Sequence, residues 1–286
     1  MKYIPWYLKI LINIFLSRLP LNYSFWQKIG LFRHGHMDKV DYIVKVFERH
    51  IDFAELDKNS IEGKHFIELG PGDSILSSLL AYSYGARLTL VDVGHFVKED
   101  INFYKSICNE LTKLNYKMPD ISTCKNINEI LEKVGSKYLT DGVNSLKAIP
   151  AESVDLIFSQ AVLEHVRKKD FNDLAQEIKR ILKKDGASSH AIDLKDHLNY
   201  SLNNLRFTDK LWESEFFANS GFYTNRLSIS DITNVYKNIG FRINIKNKLT
   251  WDEIPLPRSK FAQQFKNRPL EDLLVSEFDL ILKHKQ

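Results

Sequence analysis

Cysteine is scarce in this chain. There are two in 286 residues, Cys108 and Cys124, with no Cys-x-x-Cys pair and no repeated Cys/His spacing. This argues against a disulfide framework or a zinc module and fits a reducing, cytoplasmic setting. Internal repeats and low-complexity tracts are lacking too. No apolar run reaches the roughly 20 residues of a spanning helix. Acid is missing from one end alone. Residues 1–37 carry Lys2, Lys9, Arg18, Lys28 and Arg33, and neither Asp nor Glu. The formal net charge of +4 is thus a property of the N-terminus, and the rest of the chain is close to neutral. That distribution does not fit a broad nucleic-acid-binding face.

What the N-terminus does have is an apolar run, Ile4–Leu16, broken by Lys9 and Asn13 on one helical face. It lacks a small-residue cleavage site, so a signal peptide is not expected. Two readings stay open. One is an amphipathic helix on the inner face of an anionic membrane, with Trp6, Tyr7 and Trp26 at the interface. The other is a helix packed over the rest of the chain or against another subunit. The oligomeric state is open.

Further on, helical and strand patterns alternate. Asp38–Phe53 has helical spacing, with Val40, Ile43, Val44, Phe47 and Ile51 on one stripe. Short apolar strands are expected at Lys64–Leu69, Arg87–Asp92, Lys137–Thr140, Val154–Ser159 and Ala187–Leu194. Helices fall between them at Ser74–Tyr84, Asp100–Asn115, Ile127–Val134 and Phe171–Leu182, and Asp185-Gly186 reads as a turn. This rhythm predicts an α/β domain: a doubly wound, mostly parallel sheet with helices on both faces. A helix at Ser230–Asn238 and strands at Phe241–Leu249 and Phe278–Lys283 close it. We divide the chain into a helical extension, residues 1–55, and a domain, residues 56–286. Two segments of about 198–229 and 250–277 break the rhythm and read as inserted lids.

The stretch "HFIELGPGDSILSSLL" (His65–Leu80) has the form of a cofactor turn: strand, two glycines, helix. A dinucleotide fingerprint needs glycine at positions 70, 72 and 75, and the third is Ile75. No Gly-Lys-Ser/Thr ending marks a phosphate loop. Glu68, two residues before Gly70, suits a ligand ammonium group. Asp92, closing the second strand, suits ribose hydroxyls. Asp141 in "TDG" suits an adenine amino group, although Asp-Gly is also an ordinary turn. Amino acid, ribose and adenine without phosphates describe S-adenosylmethionine.

The ordered motifs "FIELGPGDS", "LTLVDVG", "YLTDG", "SVDLIFSQAVLEHV" and "EIKRILKKDGASSHAIDL" resemble the class I S-adenosylmethionine-dependent methyltransferases. The resemblance covers roughly residues 64–194, and "NIGF" with the last strands extends it. It implies a Rossmann-like methyltransferase fold, a seven-stranded sheet with its last strand antiparallel. It implies that Glu68, Gly70 and Gly72 hold the methionine part, Asp92 the ribose and Asp141 the adenine edge, with Ser159 at the end of the fourth core strand also placed at the cofactor. Ser74, where the family often has Gly or Thr, is a departure.

The acceptor side is read from the next strand ends. "SQAVLEHV" brings Ser159, Gln160, Glu164 and His165; "HAIDLKDH" brings His190, Asp193, Asp196 and His197. Asp193, His197 and His165 are the candidate catalytic residues, as bases for an acceptor hydroxyl. Such groups equally suit a divalent cation, for which no ligand set is assigned. His165 has a plainer role too, bonding a backbone carbonyl, and His190 is expected to pack inside its strand. Arg226, in "YTNR", is a candidate contact for an acidic substrate. No Asn/Asp-Pro-Pro-Tyr follows the fourth strand, which disfavours nucleic-acid bases as acceptors. The segments "LPLNYSFWQKIGLFRHGHMD" and "LWES…YTNRL" are similar to bacterial methyltransferases associated with surface-polysaccharide synthesis. That resemblance implies O-methylation of a sugar hydroxyl on a nucleotide- or lipid-linked glycan. The alternatives are a small-molecule or lipid methyltransferase and a cofactor-binding partner without turnover.

Overall fold

The computed structural model describes residues 4–19 and 37–285. Lys2, Trp26, Lys28 and Arg33 lie outside the described residues. Seven strands form one sheet: β1 (His65–Leu69), β2 (Arg87–Val91), β3 (Lys137–Leu139), β4 (Val154–Gln160), β5 (Leu182–Asp193), β6 (Phe241–Thr250) and β7 (Val275–His284). Their order is β3-β2-β1-β4-β5-β7-β6. β1 to β5 are parallel, and β7 runs antiparallel to both β5 and β6. The seven-stranded, mostly parallel Rossmann-like methyltransferase sheet expected from the sequence is present. The chain moves outward from β1 to β3 and returns to β4 on the other side of β1. In such sheets ligands occupy the crevice at the carboxyl ends beside this reversal. Leu69 lies beside Val91 on one side and Ser159 on the other, so β1, β2 and β4 end level with one another.

β1 and β4 are almost continuously buried because helices cover both faces of the sheet. On one face lie α2 (Val40–Phe53), α3 (Leu76–Ser83), α4 (Ile101–Lys113) and α5 (Ile127–Lys133). Phe47, Ile51, Leu79 and Leu111 pack there against Phe66, Leu90 and Phe158. α2 follows from its apolar stripe, and its buried His50 reaches β5, where Nδ1 is 2.8 Å from Ser189 Oγ. The helix that the sequence division assigns to the extension thus packs in the core of the sheet.

On the other face lie α6 (Gly142–Lys147), α7 (Lys168–Ile181) and the helix near the C-terminal strands. α7 buries Phe171, Leu174, Ala175, Ile178 and Ile181, the i, i+3, i+4 spacing of one face. Each large apolar side chain buried there contributes roughly 1.5–3 kcal/mol, which outweighs helix propensity. α4 starts where Asp100 accepts hydrogen bonds from the Asn102 and Phe103 amides.

One expectation is corrected. Asp185-Gly186 is no turn between helix and strand. α7 ends at Ile181 and β5 begins at Leu182. Val154 pairs with Leu182 and Leu156 with Ala187, so the Asp-Gly pair lies in a bulge within β5. A Cβ at Gly186 would lie 2.9 Å from Leu182 Cδ1 and 3.1 Å from the Asp155 carbonyl oxygen. The close backbone approach, not a turn, requires glycine there.

Residues 198–229 fold into short helices, α8 (Asp209–Trp212) and α9 (Glu215–Ala218), before α10 (Ile229–Asn238). They enclose an aromatic cluster of Trp212, Phe217, Phe222 and Tyr223. α1 (Trp6–Leu16) packs on this cluster through Trp6, Ile10 and Ile14. The adjoining side leaves Leu11 61% and Phe15 65% exposed, with Tyr7 and Leu8 beside them. No helix among the described residues is long and apolar enough to cross a membrane.

Candidate active site

After β1 the backbone turns through Gly70 (φ +64°) and Gly72 (φ +67°), both in the left-handed region that favours glycine. A Cβ at Gly70 would lie 2.6 Å from Val162 Cγ2, in the loop that follows β4. The turn is held from outside as well. Ser74 Oγ donates to the Met37 carbonyl at 2.6 Å, and the Lys98 amide donates to the Asp73 carbonyl at 2.8 Å.

Glu68 is buried with Phe66 on the α3 side of the sheet. Ser77 Oγ of α3 donates to its Oε2, while its Oε1 has no partner. Burial pushes the Glu68 pKa up to about 8; the Ser77 hydrogen bond offsets part of this and the charge of Asp92 adds to it. Asp92 ends β2, its Oδ1 accepting from the Val93 amide at 2.7 Å. Its carbonyl accepts from the Gly142 amide at 2.8 Å, which brings the ends of β2 and β3 together. Asp141 is exposed there, at the start of α6, and its carboxylate caps nothing. Glu68, Gly70, Gly72, Asp92 and Asp141 thus rim one end of the sheet.

Ser159 is a correction. It ends in the same register, but its side chain is fully buried on the opposite face, 2.8 Å from His190 Nδ1. Only its backbone faces the crevice level. His190 is fixed between Ser159 and Ser188, and burial drops its pKa to about 3, so it is a neutral packing residue.

At the ends of β4 and β5 a second cluster forms. Glu164 is buried. Its Oε1 accepts from the Asp193 amide at 3.3 Å and its Oε2 has no partner. Desolvation raises its pKa well above the ordinary carboxylate range, and the Asp193 charge adds to the rise. His165 Nδ1 donates to the Tyr223 carbonyl at 2.8 Å, which places the proton on that nitrogen. The His165 and His197 rings meet edge to face, 4.7 Å between centroids. Desolvation lowers the His197 pKa.

Asp193 is turned toward Lys195. Its Oδ1 accepts from the Lys195 amide at 2.9 Å and lies 3.3 Å from Nζ, and Lys195 also pairs with Glu277. Burial, the largest effect, raises its pKa. The structure therefore brings His165 and His197 together with Glu164, while Asp193 stands beside them through its backbone. Asp196 holds its own loop, accepting from the Leu198 amide at 3.0 Å and the Asn199 amide at 2.6 Å.

Arg226 is a correction too. Its side chain is buried, donates to the Phe207 carbonyl at 2.6 Å, pairs with Asp209 at 2.5 Å and lies over the Trp212 ring. It clamps the aromatic segment and does not face a substrate. Glu164 is the residue to which sequence reasoning gave no role. The signal was its place in "LEH", directly after the strand.

Residues 99–189 match the family model for the methyltransferase domain, from the start of α4 into β5. No curated protein matches the chain in sequence. Several solved structures resemble it. An S-adenosylmethionine-dependent methyltransferase from Archaeoglobus fulgidus is 12% identical, covers 91% of this chain and 98% of its own, at a TM-score of 0.47. The YcgJ protein from Bacillus subtilis is 13% identical over 84% of this chain and 98% of its own, at 0.45. Phosphoethanolamine N-methyltransferase 2 from Haemonchus contortus is 14% identical over 79% of this chain, at 0.42. The alignment with this last protein covers 49% of its length. Another structure of that Haemonchus contortus enzyme holds S-adenosyl-L-methionine. The domain match assigns residues 99–189 to a methyltransferase domain.

Proposed function

We propose that the chain methylates a hydroxyl group, and that the acceptor is a sugar on a nucleotide- or lipid-linked glycan. The observation that carries this reading is the cluster at the ends of β4 and β5. It sets His165, His197 and Asp193 on the loops next to the cofactor turn. Proton-accepting groups at that place suit an acceptor that must lose a proton as it is methylated.

The turn after β1 supports S-adenosylmethionine as the methyl donor by two features. Gly70 and Gly72 give a turn that a ligand backbone can approach closely. Glu68 Oε1, buried and without a partner, suits the ligand's ammonium group. Asp92 would accept from ribose hydroxyls, and the exposed Asp141 from the adenine edge. The bound cofactor supplies an electrophilic methyl group. His197 accepts the acceptor's proton, Asp193 ties the end of β5 to the cluster through its amide on Glu164, and His165, fixed by Tyr223, orients the His197 ring. A lipid-linked acceptor is favoured by the exposed apolar side chains of α1, Leu11 and Phe15 with Tyr7 and Leu8.

The test is titration with S-adenosylhomocysteine and NAD, with Asp92→Ala as control, followed by labelled methyl transfer to nucleotide sugars and lipid-linked glycans. Expected are binding of the adenosyl ligand alone, weakened by Asp92→Ala, and label in the glycan. Label appearing only in amines or free lipids would overturn the acceptor assignment.

A further inference from the structure

Glu164, His165 and His197 each offer one ligand atom, and the three atoms lie within 4.8 Å of one another. We propose that they bind a divalent first-row transition cation, Zn2+ in the first instance, at the acceptor side of the crevice.

Three features of the cluster support this. First, the donor set is two imidazoles and a carboxylate, a set that suits zinc and its neighbours better than magnesium. Second, Glu164 is only 1% exposed, yet its Oε2 has no hydrogen-bond partner. A buried carboxylate oxygen left without a partner is costly, and a cation supplies the missing interaction. Third, His165 Nδ1 donates to the Tyr223 carbonyl, which leaves Nε2 as the nitrogen with a lone pair. A backbone carbonyl on the far nitrogen is the usual support of a metal-binding imidazole.

The three atoms must draw together, since ligands around zinc stand about 3.3 Å apart at bond lengths near 2.1 Å. The exposed His197 ring is the member able to move. Three protein ligands leave a position for an exogenous oxygen. The proposal deepens the hydroxyl-acceptor reading and rests on it for this last step. The acceptor hydroxyl would take the remaining position, the cation would lower its pKa, and the proton would pass to solvent water at the exposed His165–His197 edge. His197 is then a ligand and no longer the base.

The experiment is calorimetric titration of the chelator-stripped full chain with Zn2+, repeated on His197→Ala, Glu164→Gln and His95→Ala. His95 lies beside Glu99 on the surface and controls for adventitious binding. S-adenosylhomocysteine affinity is measured on every variant to show that the fold is kept. One Zn2+ per chain is expected, weakened at least about tenfold by His197→Ala and by Glu164→Gln and unchanged in His95→Ala. Absence of binding in the unaltered chain, or equal binding in all variants, overturns the site. Zn2+ binding lost in the two variants, with no hydroxyl acceptor ever methylated, upholds the site and overturns the acceptor reading. Full O-methylation in chelator by a chain that binds no Zn2+ does the reverse.

Discussion

Glu68→Gln isolates the physics of the cofactor turn. In the folded chain, burial pushes the Glu68 pKa up to about 8. In the unfolded chain the group titrates near its ordinary value of about 4.3. Between those values the folded chain holds one proton more than the unfolded one. Stability is therefore fully present below the unfolded pKa and falls as pH rises toward the folded one, by about 1.4 kcal/mol per unit. Across the whole window the loss is about 3–6 kcal/mol. Gln has nearly the same shape and still accepts from Ser77, but it has no proton to lose. Urea unfolding of both proteins at pH 5 and pH 8.5 reads the difference. Other buried groups such as Glu164 and His190 titrate in both proteins and cancel. The variant should gain on the unaltered chain as pH rises, by several kcal/mol at pH 8.5. Equal pH slopes in the two proteins would refute the reasoning.

Gly70→Ala places a methyl group 2.6 Å from Val162 Cγ2 at a φ of +64°. Its unfolding free energy should fall by about 1–3 kcal/mol; adding Val162→Ala should recover the steric part but not the backbone part. Arg226→Met leaves Asp209 and Glu213 without their buried partner. It should cost about 1–3 kcal/mol in thermal or urea unfolding, since Asp209 is half exposed and keeps Lys168, while S-adenosylhomocysteine titration stays unchanged. Leu11→Ser with Phe15→Ser alters only side chains that project outward from α1. Co-sedimentation with anionic vesicles should drop while Tm holds; equal sedimentation would remove α1 from the membrane reading.

Legibility in the sequence followed the range of the interactions involved. β1, β2 and β4 were readable because strands covered on both faces need continuous apolar runs. α7 was readable because one face carries its whole burial. The glycines of the cofactor turn were readable because their backbone conformation excludes other residues. Asp185-Gly186 misled because a bulge and a turn use the same residues for different reasons. Ser159 misled because period 2 alone does not say which face a strand-end side chain takes, and here it meets His190 from the neighbouring strand. Arg226 looked like a substrate contact because its partners, Asp209 and Glu213, lie well before it on separate short turns. The helix α1 kept two readings open in the sequence because it has two apolar sides, one packed on Trp212's cluster and one open.

The polar stretch Tyr223–Asn225 acquires its meaning from what it holds. The Tyr223 carbonyl fixes His165, the Asn225 amide donates to the Glu164 carbonyl at 2.6 Å, and Asn225 Nδ2 donates to the Leu163 carbonyl at 2.7 Å. All three partners lie on the loop after β4. The other end of that loop is Val162, pressed against Gly70, and Ala161, bonded through its amide to the Ala191 carbonyl at a φ of +53°. One loop therefore touches the cofactor turn at one end and carries Glu164 and His165 at the other, and the 223–225 segment pins it from above. The position of Glu164 and His165 relative to the Gly70 turn is thus set by hydrogen bonds from the inserted segment as well as by the sheet.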